Sequence, residues 1–367
     1  MKPYTPDRLP VQDLDFGVLV GLVGQANAEL ARYDGMLKGV VNPSILLSPI
    51  TTQEAVLSSR IEGTQATLDE VLEHDAGQEY EEEKTRDIKE IINYRQVLLF
   101  ATRELDNRPL SLNMLKTMHS VLMDSVRGQN KTPGQFRTDQ NWIGPAGCSI
   151  DNATFVPPSP FQLQDHLESW EKYVLSNDID VLIQAAIVHA QFELIHPFRD
   201  GNGRIGRLLI PLFLFSKGCV SSPVFYLSAY LEANREDYYS CLQSISSDGA
   251  WERWISFFLQ GVVEQAQENA SKVVAVLDLY EMMKERIRGI THSQYTVQLL
   301  DALFARPIFQ TSDIVQITGL PKQTVMPWIR QLKDDGVLVT LREASGRRPG
   351  RMAFRELLNV AEGRSIV

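Results

Sequence analysis

The chain has 367 residues, enough for two or three domains with their own cores. Its 44% apolar and 22% charged residues are those of a globular protein and exclude a disordered one. A net charge of −10 and a pI near 5.2 exclude a protein that coats nucleic acid or an anionic membrane along its whole length, though not a local basic patch.

The N-terminal segment MKPYTPDRLP lacks the apolar core of a signal peptide. The first ~130 residues carry helical periodicity. LDFGVLVGLVGQANAELARYDGML and TTQEAVLSSRIEGTQATLDEVLEH have apolar residues three and four apart, the second with Gly63 in its middle. EYEEEKTRDIKEIINYRQVLLFATREL begins acidic, as suits a helix dipole, and SLNMLKTMHSVLM offers Ser111 as an N-cap. Residues 132–160 change character, with glycines, prolines and short alternating apolar positions that predict an exposed β-hairpin or long loop. Helices resume in FQLQDHLESWEKYVLS and DIDVLIQAAIVHAQFELI, and again at 204–217, 233–246 and 251–288. The last ~75 residues predict helix, helix, turn, helix and a two-strand wing. Cys148, Cys219 and Cys241 are odd in number and widely spaced, which predicts neither a disulfide frame nor a zinc site. The run LLIPLFLF at 208–215 is far short of the ~20 residues that span a bilayer. A reduced cytoplasm, with no membrane partner, is the expected setting.

The stretch HPFRDGNGRIGR, 196–207, leaves few positions for packing. Pro197 should end the incoming helix near Ile195 and leave His196 at its exit. Gly201, Asn202 and Gly203 can turn the backbone sharply and let it approach a ligand. A glycine-rich loop entering a helix N-terminus is an anion cradle, since free N–H groups and the dipole both favour negative charge. Arg204 and Arg207, three apart, share one helix face and suit a polyphosphate. Asp200 offers a hard oxygen to Mg2+, and His196 is the group able to take a proton near neutral pH. A calcium loop fails, because Ile205 and Pro211 stand where an EF-hand needs glycine and glutamate. Zinc fails too: His189 and His196 are not four apart, and His189 reads as a buried, supporting histidine.

This stretch resembles the signature of the Fic family, H-x-F-x-D/E-G-N-G-R-x-x-R, and matches it at every specified position. The resemblance extends over roughly residues 12–265, through the surrounding helices, the FVPPSP segment and the pair Tyr238 and Tyr239. It implies a mostly α fold, a Fic helical core with a β-hairpin flap, and a protein adenylyltransferase that moves AMP from ATP to a Ser, Thr or Tyr hydroxyl of a protein target. By that resemblance His196 is the catalytic base and Phe198 anchors the loop. Asp200 holds Mg2+. Gly201, Asn202, Gly203, Arg204, Ile205, Gly206 and Arg207 bind the nucleotide, with Tyr239 lining its pocket. The flap, Trp142 to Phe155 and including Ala153 and Thr154, aligns the target chain by strand addition. SSRIEG at 58–63 matches the family's inhibitory pattern S/T-x-x-x-E-G/N through Ser58, Glu62 and Gly63. It implies autoinhibition by Glu62 paired with Arg207.

The implied organisation is an N-terminal helical region with the inhibitory helix (1–110), a Fic catalytic core (111–288) and a small α/β winged helix-turn-helix domain (289–367). In the last of these, TSDIVQITG and KQTVMPWIRQLKDDG form the helix-turn-helix, and VLVTL and RMAFR the wing. From 322 to 355 stand eight basic residues against three acidic ones, a local +5 that leaves −15 for the rest and suits DNA. Pro327 weakens a recognition helix unless Thr324 caps it, which would leave the recognition surface short. Alternatives are a DNA-binding transcription regulator with a nucleotide-sensing core, or a Fic enzyme that removes AMP or transfers another nucleotide or phosphate. A homodimer is a further expectation.

Overall fold

The structure, a computed structural model, describes residues 2–40, 42–124, 126, 131–145, 147–345 and 348–363. It is mostly helical, with one three-stranded sheet, and divides into two compact units. The first comprises Met1–Asp34, Leu57–Gly63 and Ile92–Gln267; the second comprises Gly35–Val56, Thr64–Ile91 and Glu268–Val367. No helix among the described residues is long and apolar enough to cross a membrane.

The first unit is built around the helix Val181–Ile195. Asp180 caps it, its Oδ1 accepting from the N–H groups of Leu182 and Ile183 at 2.8 and 3.1 Å. Its sequence is apolar nearly all round, so it is buried from Leu182 to Ile195 except at Glu193. Trp170 and Trp254 donate their indole N–H groups to its Val188 and Ala186 carbonyls, at 2.9 and 2.8 Å. These bonds let two large rings bury without leaving a donor unpaired. The helix stops at Ile195, as Pro197 predicts. The next helix begins at Asn202 rather than Arg204, because Gly201 (φ 78°) already turns the chain there, and runs to Ser216.

Two further expectations are corrected. The segment 51–74 is not one helix. Gly63, at φ 96°, ends a helix Ser48–Ile61, and Thr67 with Glu70 forms a capping box that starts a second, Leu68–Asp75. The flap is not an extended hairpin among the described residues, Ala146 lying outside them. Ile143 and Phe155 form a single antiparallel bridge, with Ile143 N–H donating to Phe155 O at 2.8 Å, and the tip is closed by a 3-10 turn at Ile150–Asn152.

In the second unit, helices Thr296–Ala305, Thr311–Thr318 and Lys322–Asp334 precede two antiparallel strands, β2 (Leu338–Arg342) and β3 (Arg351–Phe354). The short strand β1 (Ile308–Phe309) pairs with β3, giving the order β1-β3-β2, and a helix Arg355–Glu362 follows. Neither β1 nor this last helix is foreseen by the periodicity. Leu68, Leu72 and Ala76 pack with Ile308, Ala353, Leu358 and Ala361 in one buried cluster. Pro327 lies inside the 13-residue helix that starts at Lys322, at an exposed position, so the short helix from a Thr324 cap is not what forms. Gly346 and Arg347 of the wing tip lie outside the described residues.

Removing the Asp180 cap leaves two helix N–H groups unpaired. Asp180→Ala is expected to lower unfolding free energy by ~1 kcal/mol, read as a lower urea midpoint at unchanged slope.

Candidate functional site

The loop 196–201 is held by buried polar side chains from three directions. His196 itself sits in the left-handed region (φ 50°), uncommon for a side chain with a Cβ and tolerated only when its surroundings fix it. Arg137, 2% exposed, does much of that fixing. Its Nε donates to His196 O at 2.9 Å, its Nη2 to Pro158 O at 2.6 Å, and its backbone N–H to Pro197 O at 2.9 Å. Asn202 closes the loop on itself: its Oδ1 accepts from Phe198 N–H and its Nδ2 donates to Phe198 O, both at 2.8 Å. Phe198 is fully buried and stacks on the His119 ring at 3.8 Å between centroids. His119 Nδ1 accepts from Gly134 N–H at 2.8 Å, which fixes the tautomer, so Nε2–H donates to Asp200 O at 2.9 Å. A side chain at Gly201 would press on Met123 and His119, so glycine is required there for space as well as for φ.

This scaffold turns His196 and the start of the 202–216 helix into one cavity of about 570 Å3, lined also by Glu62, Gly203, Arg207, Trp142 and Tyr239. His196 Nδ1 faces Glu193 O at 3.3 Å, and donation there leaves Nε2 with its lone pair. Burial pushes the imidazole down to about 4, so it is neutral and able to accept a proton throughout the neutral range. Gly203, in the first turn of that helix, lines the cavity, so the positive end of the helix dipole borders it.

Glu62 reaches this dipole end. Its Oε1 accepts from Arg207 Nη2 at 2.7 Å, and a β-carbon on Gly203 would collide with it. Arg207 is further held by Ser58, whose Oγ accepts from Nε and whose carbonyl accepts from Nη2, each at 2.9 Å. The Arg207 side chain is 1% exposed and that of Glu62 is 35% exposed. Burial works to raise the Glu62 carboxyl, but the charge and hydrogen bond of Arg207 outweigh it and hold the group below its ordinary value. For Arg207, burial works downward and Glu62 reverses it, so the guanidinium is firmly charged. Gly63 follows at φ 96° and turns the chain away directly after the glutamate.

The other residues singled out by the sequence divide between cavity and core. Asp200 Oδ1 accepts from Gly201 N–H at 2.6 Å and lies 3.8 Å from Arg204 Nη2, with the Asp200 side chain 39% exposed. Arg204 is buried. Ile205 packs in the core and spends its N–H on Gly201 O, so it does not line the cavity. Gly206 lies under Glu193, whose Oε1 a β-carbon would strike. Tyr239 lines the cavity, with the Arg235 guanidinium 5.8 Å from its ring. Thr154 and Phe155 line it from the flap, whereas Ala153 is buried and does not. His189 is a supporting residue: Nδ1–H donates to Gly206 O at 2.9 Å, and Nε2 accepts from the Tyr238 hydroxyl at 3.0 Å. Among the described residues no three His, Cys, Asp or Glu side chains cluster as a metal site.

Arg137, His119 and Glu193 escape the sequence reading. Arg137 and His119 are lone polar residues in a loop and on a helix, with no spacing to mark them. Glu193 does leave a signal, a carboxylate interrupting an apolar helix three residues before His196. Burial pushes it up to about 8.

His119 is pushed down to about 4 by burial, against 6.5 for the free side chain. The unfolded chain therefore binds more protons between those values, and stability falls as pH drops through that window. At ~1.4 kcal/mol per unit, His119 alone predicts a loss of roughly 3 kcal/mol by pH 4. Urea denaturation from pH 7.5 to 4.5 reads this; a pH-independent midpoint would contradict a neutral, buried His119.

The description "Fic/DOC family N-terminal" matches residues 20–103, and "Fic/DOC family" matches residues 109–214. The chain is 28% identical over 200 residues to a "Probable protein adenylyltransferase" of Aquifex aeolicus, covering 52% of this chain and 56% of that protein. It is 29% identical over 161 residues to "Protein adenylyltransferase Fic" of Nematostella vectensis, covering 43% and 33%. The match thus spans about half or less of the length of these curated relatives. Among solved structures, a Fic family protein from Desulfovibrio desulfuricans superposes with a TM-score of 0.59 at 21% identity, over 96% of this chain and 98% of the other. With the two family regions side by side along its sequence and this fold around them, the chain belongs to the Fic/DOC family.

Proposed function

We propose that the protein is an adenylyltransferase that moves AMP from ATP to a protein hydroxyl and is restrained by its own Glu62. One observation carries the reading: a neutral imidazole, the first turn of a helix and the buried Arg207 border one cavity, and Arg207 is occupied by a carboxylate from elsewhere in the chain. A triphosphate carries several negative charges. The first-turn N–H groups with Arg204 and Arg207 offer the matching positive field.

In this reading His196 Nε2 takes the proton of the target hydroxyl as its oxygen attacks the α-phosphorus. The bond from that phosphorus to the bridging oxygen breaks, and pyrophosphate leaves with its electron pair. The rate gain comes from positioning and from charge neutralisation at the cradle. Asp200, a single and partly exposed carboxylate beside the cradle, fits Mg2+, which takes few protein ligands and fills its shell with phosphate and water. When bound there it would neutralise phosphate charge. Trp142, Tyr239, Thr154 and Phe155 flank the entrance where a base and a target chain would lie.

Glu62 on Arg207 denies the last phosphate its partner, so ATP binds poorly or in a pose unsuited to in-line attack. In order along the sequence we assign an inhibitory region (1–110), a catalytic core (111–288) and a winged-helix accessory domain (289–367), while the compact units of the fold interleave the first of these with the other two. The helix pair joined at Gly319 and the β2–β3 ribbon support its last part.

ATP labelled at either the α- or the γ-phosphate, incubated with Mg2+ and the protein, tests the reaction. Protein-bound label is expected from the α-position only, and at least ~100-fold less in His196→Ala, which removes the general base. Label from the γ-position would replace AMP transfer with phosphate transfer.

A further inference from the structure

The second unit holds a cavity of its own, about 560 Å3, between the helix Lys322–Asp334, the first turn of the helix Thr311–Thr318 and the strands β2 and β3. Its charged lining is one-sided: Lys322, Arg330, Lys333, Arg342 and Arg351 against the single carboxylate Glu343, which Lys333 already meets at 3.0 Å. Its remaining wall includes Val315, Met326, Ile329 and Met352. Lys333 and Arg351 are met by Glu343 and Glu73, and the remaining cationic lining, Lys322, Arg330 and Arg342, still gives the hollow a positive field that favours an anion.

Three polar atoms make the same point independently. Arg351 Nε, Arg342 Nε and Thr340 Oγ1 are buried, and among the described residues none has a hydrogen-bond partner. All three residues line this cavity. Buried donors left unpaired are rare and costly, and a cluster of them marks an absent ion, water or ligand. The two guanidinium groups are anchored by their other nitrogens. Arg351, 4% exposed, has Nη1 3.3 Å from Glu73 Oε2, and its Nη2 meets Gln78 Oε1. Arg342 Nη2 donates to Pro349 O at 2.8 Å. Each Nε–H is thus oriented in advance, the arrangement that recognises phosphate oxygens.

We propose that this cavity binds a small phosphate-bearing anion of nucleotide or diphosphate size. The volume lies within the range of small-molecule sites, the cations and orphaned donors suit phosphate oxygens, and the apolar wall accepts a ring or chain. A nucleic-acid backbone could reach the exposed Lys322, Arg330 and Lys333, but Arg351 is too deeply buried for a duplex to touch, so the observations favour a small ligand. The assignment is independent of the chemistry at His196.

Hydrogen exchange of the full chain, with and without inorganic pyrophosphate, reads the site by its location. Protection is expected in peptides covering 322–334 and 338–354, with an apparent affinity at least ten-fold weaker in Arg342→Gln. Should Arg342→Gln fail to fold, Arg330→Gln, an exposed position, is expected to weaken binding in the same peptides. No protection at millimolar pyrophosphate overturns the proposal, as does protection unchanged in the folded variants. Protection by a 20-base-pair duplex but not by pyrophosphate also overturns it, in favour of a nucleic-acid surface.

Discussion

Arg207 is a fully buried cation, and much of the site follows from how its charge is met. Removing one partner of a buried ion pair leaves an uncompensated charge, and because the Glu62 side chain is 35% exposed the cost here lies below the ~3–5 kcal/mol of a fully buried pair. Arg207 therefore needs an anion at all times, and in this structure Glu62 supplies it. The pairing needs room above the helix, which Gly203 gives by having no side chain, and a chain that turns away at once, which Gly63 gives at φ 96°. Ser58 holds the same guanidinium through its hydroxyl and its carbonyl, so the pair is aimed as well as neutralised. A phosphate is the natural competitor, because it offers Arg207 the same charge with more oxygens.

The loop beside this pair is built against the ordinary preferences of its residues. His196 takes a left-handed backbone, and apart from the buried Phe198 the turn is held by hydrogen bonds. Arg137 grips the carbonyls entering the loop, Asn202 bonds both backbone groups of Phe198, and His119 supports Phe198 by stacking and Asp200 by a hydrogen bond. The residues that would touch a nucleotide are therefore set by residues that would not. The neutral state of His196 has its cause in burial beside this hydrogen-bonded loop.

Much of this was legible before the fold. Pro197 fixed the helix end at Ile195, and the motif 196–207 placed histidine, aspartate, glycines and arginines in the order that an anion cradle needs. The pair of Ser58 and Glu62 with Arg207 was expected only through the family resemblance, since a lone glutamate on a helix has no spacing to a partner 145 residues away. The supporting residues were illegible for the same reason: Arg137 and His119 act by long-range contact, and periodicity reports only neighbours on one element. Sequence placed Ile205 at the nucleotide because the motif is contiguous, yet helical geometry turns that side chain into the core. Among the described residues the flap has one bridge and a 3-10 segment rather than a ladder, as its glycines and proline favour turns. The strand β1 was missed because two residues are too few for an alternating pattern.

The claim that Glu62 restrains the enzyme is tested most directly by the single-turnover rate of AMP incorporation for the wild type and Glu62→Gly at saturating Mg2+ and ATP. Release of Arg207 to the terminal phosphate predicts a rate at least ~10-fold higher in the variant, on the scale of one charge-assisted hydrogen bond regained in the transition state. Equal rates, from a variant shown to be folded, would contradict the account and return Glu62 to a merely structural role.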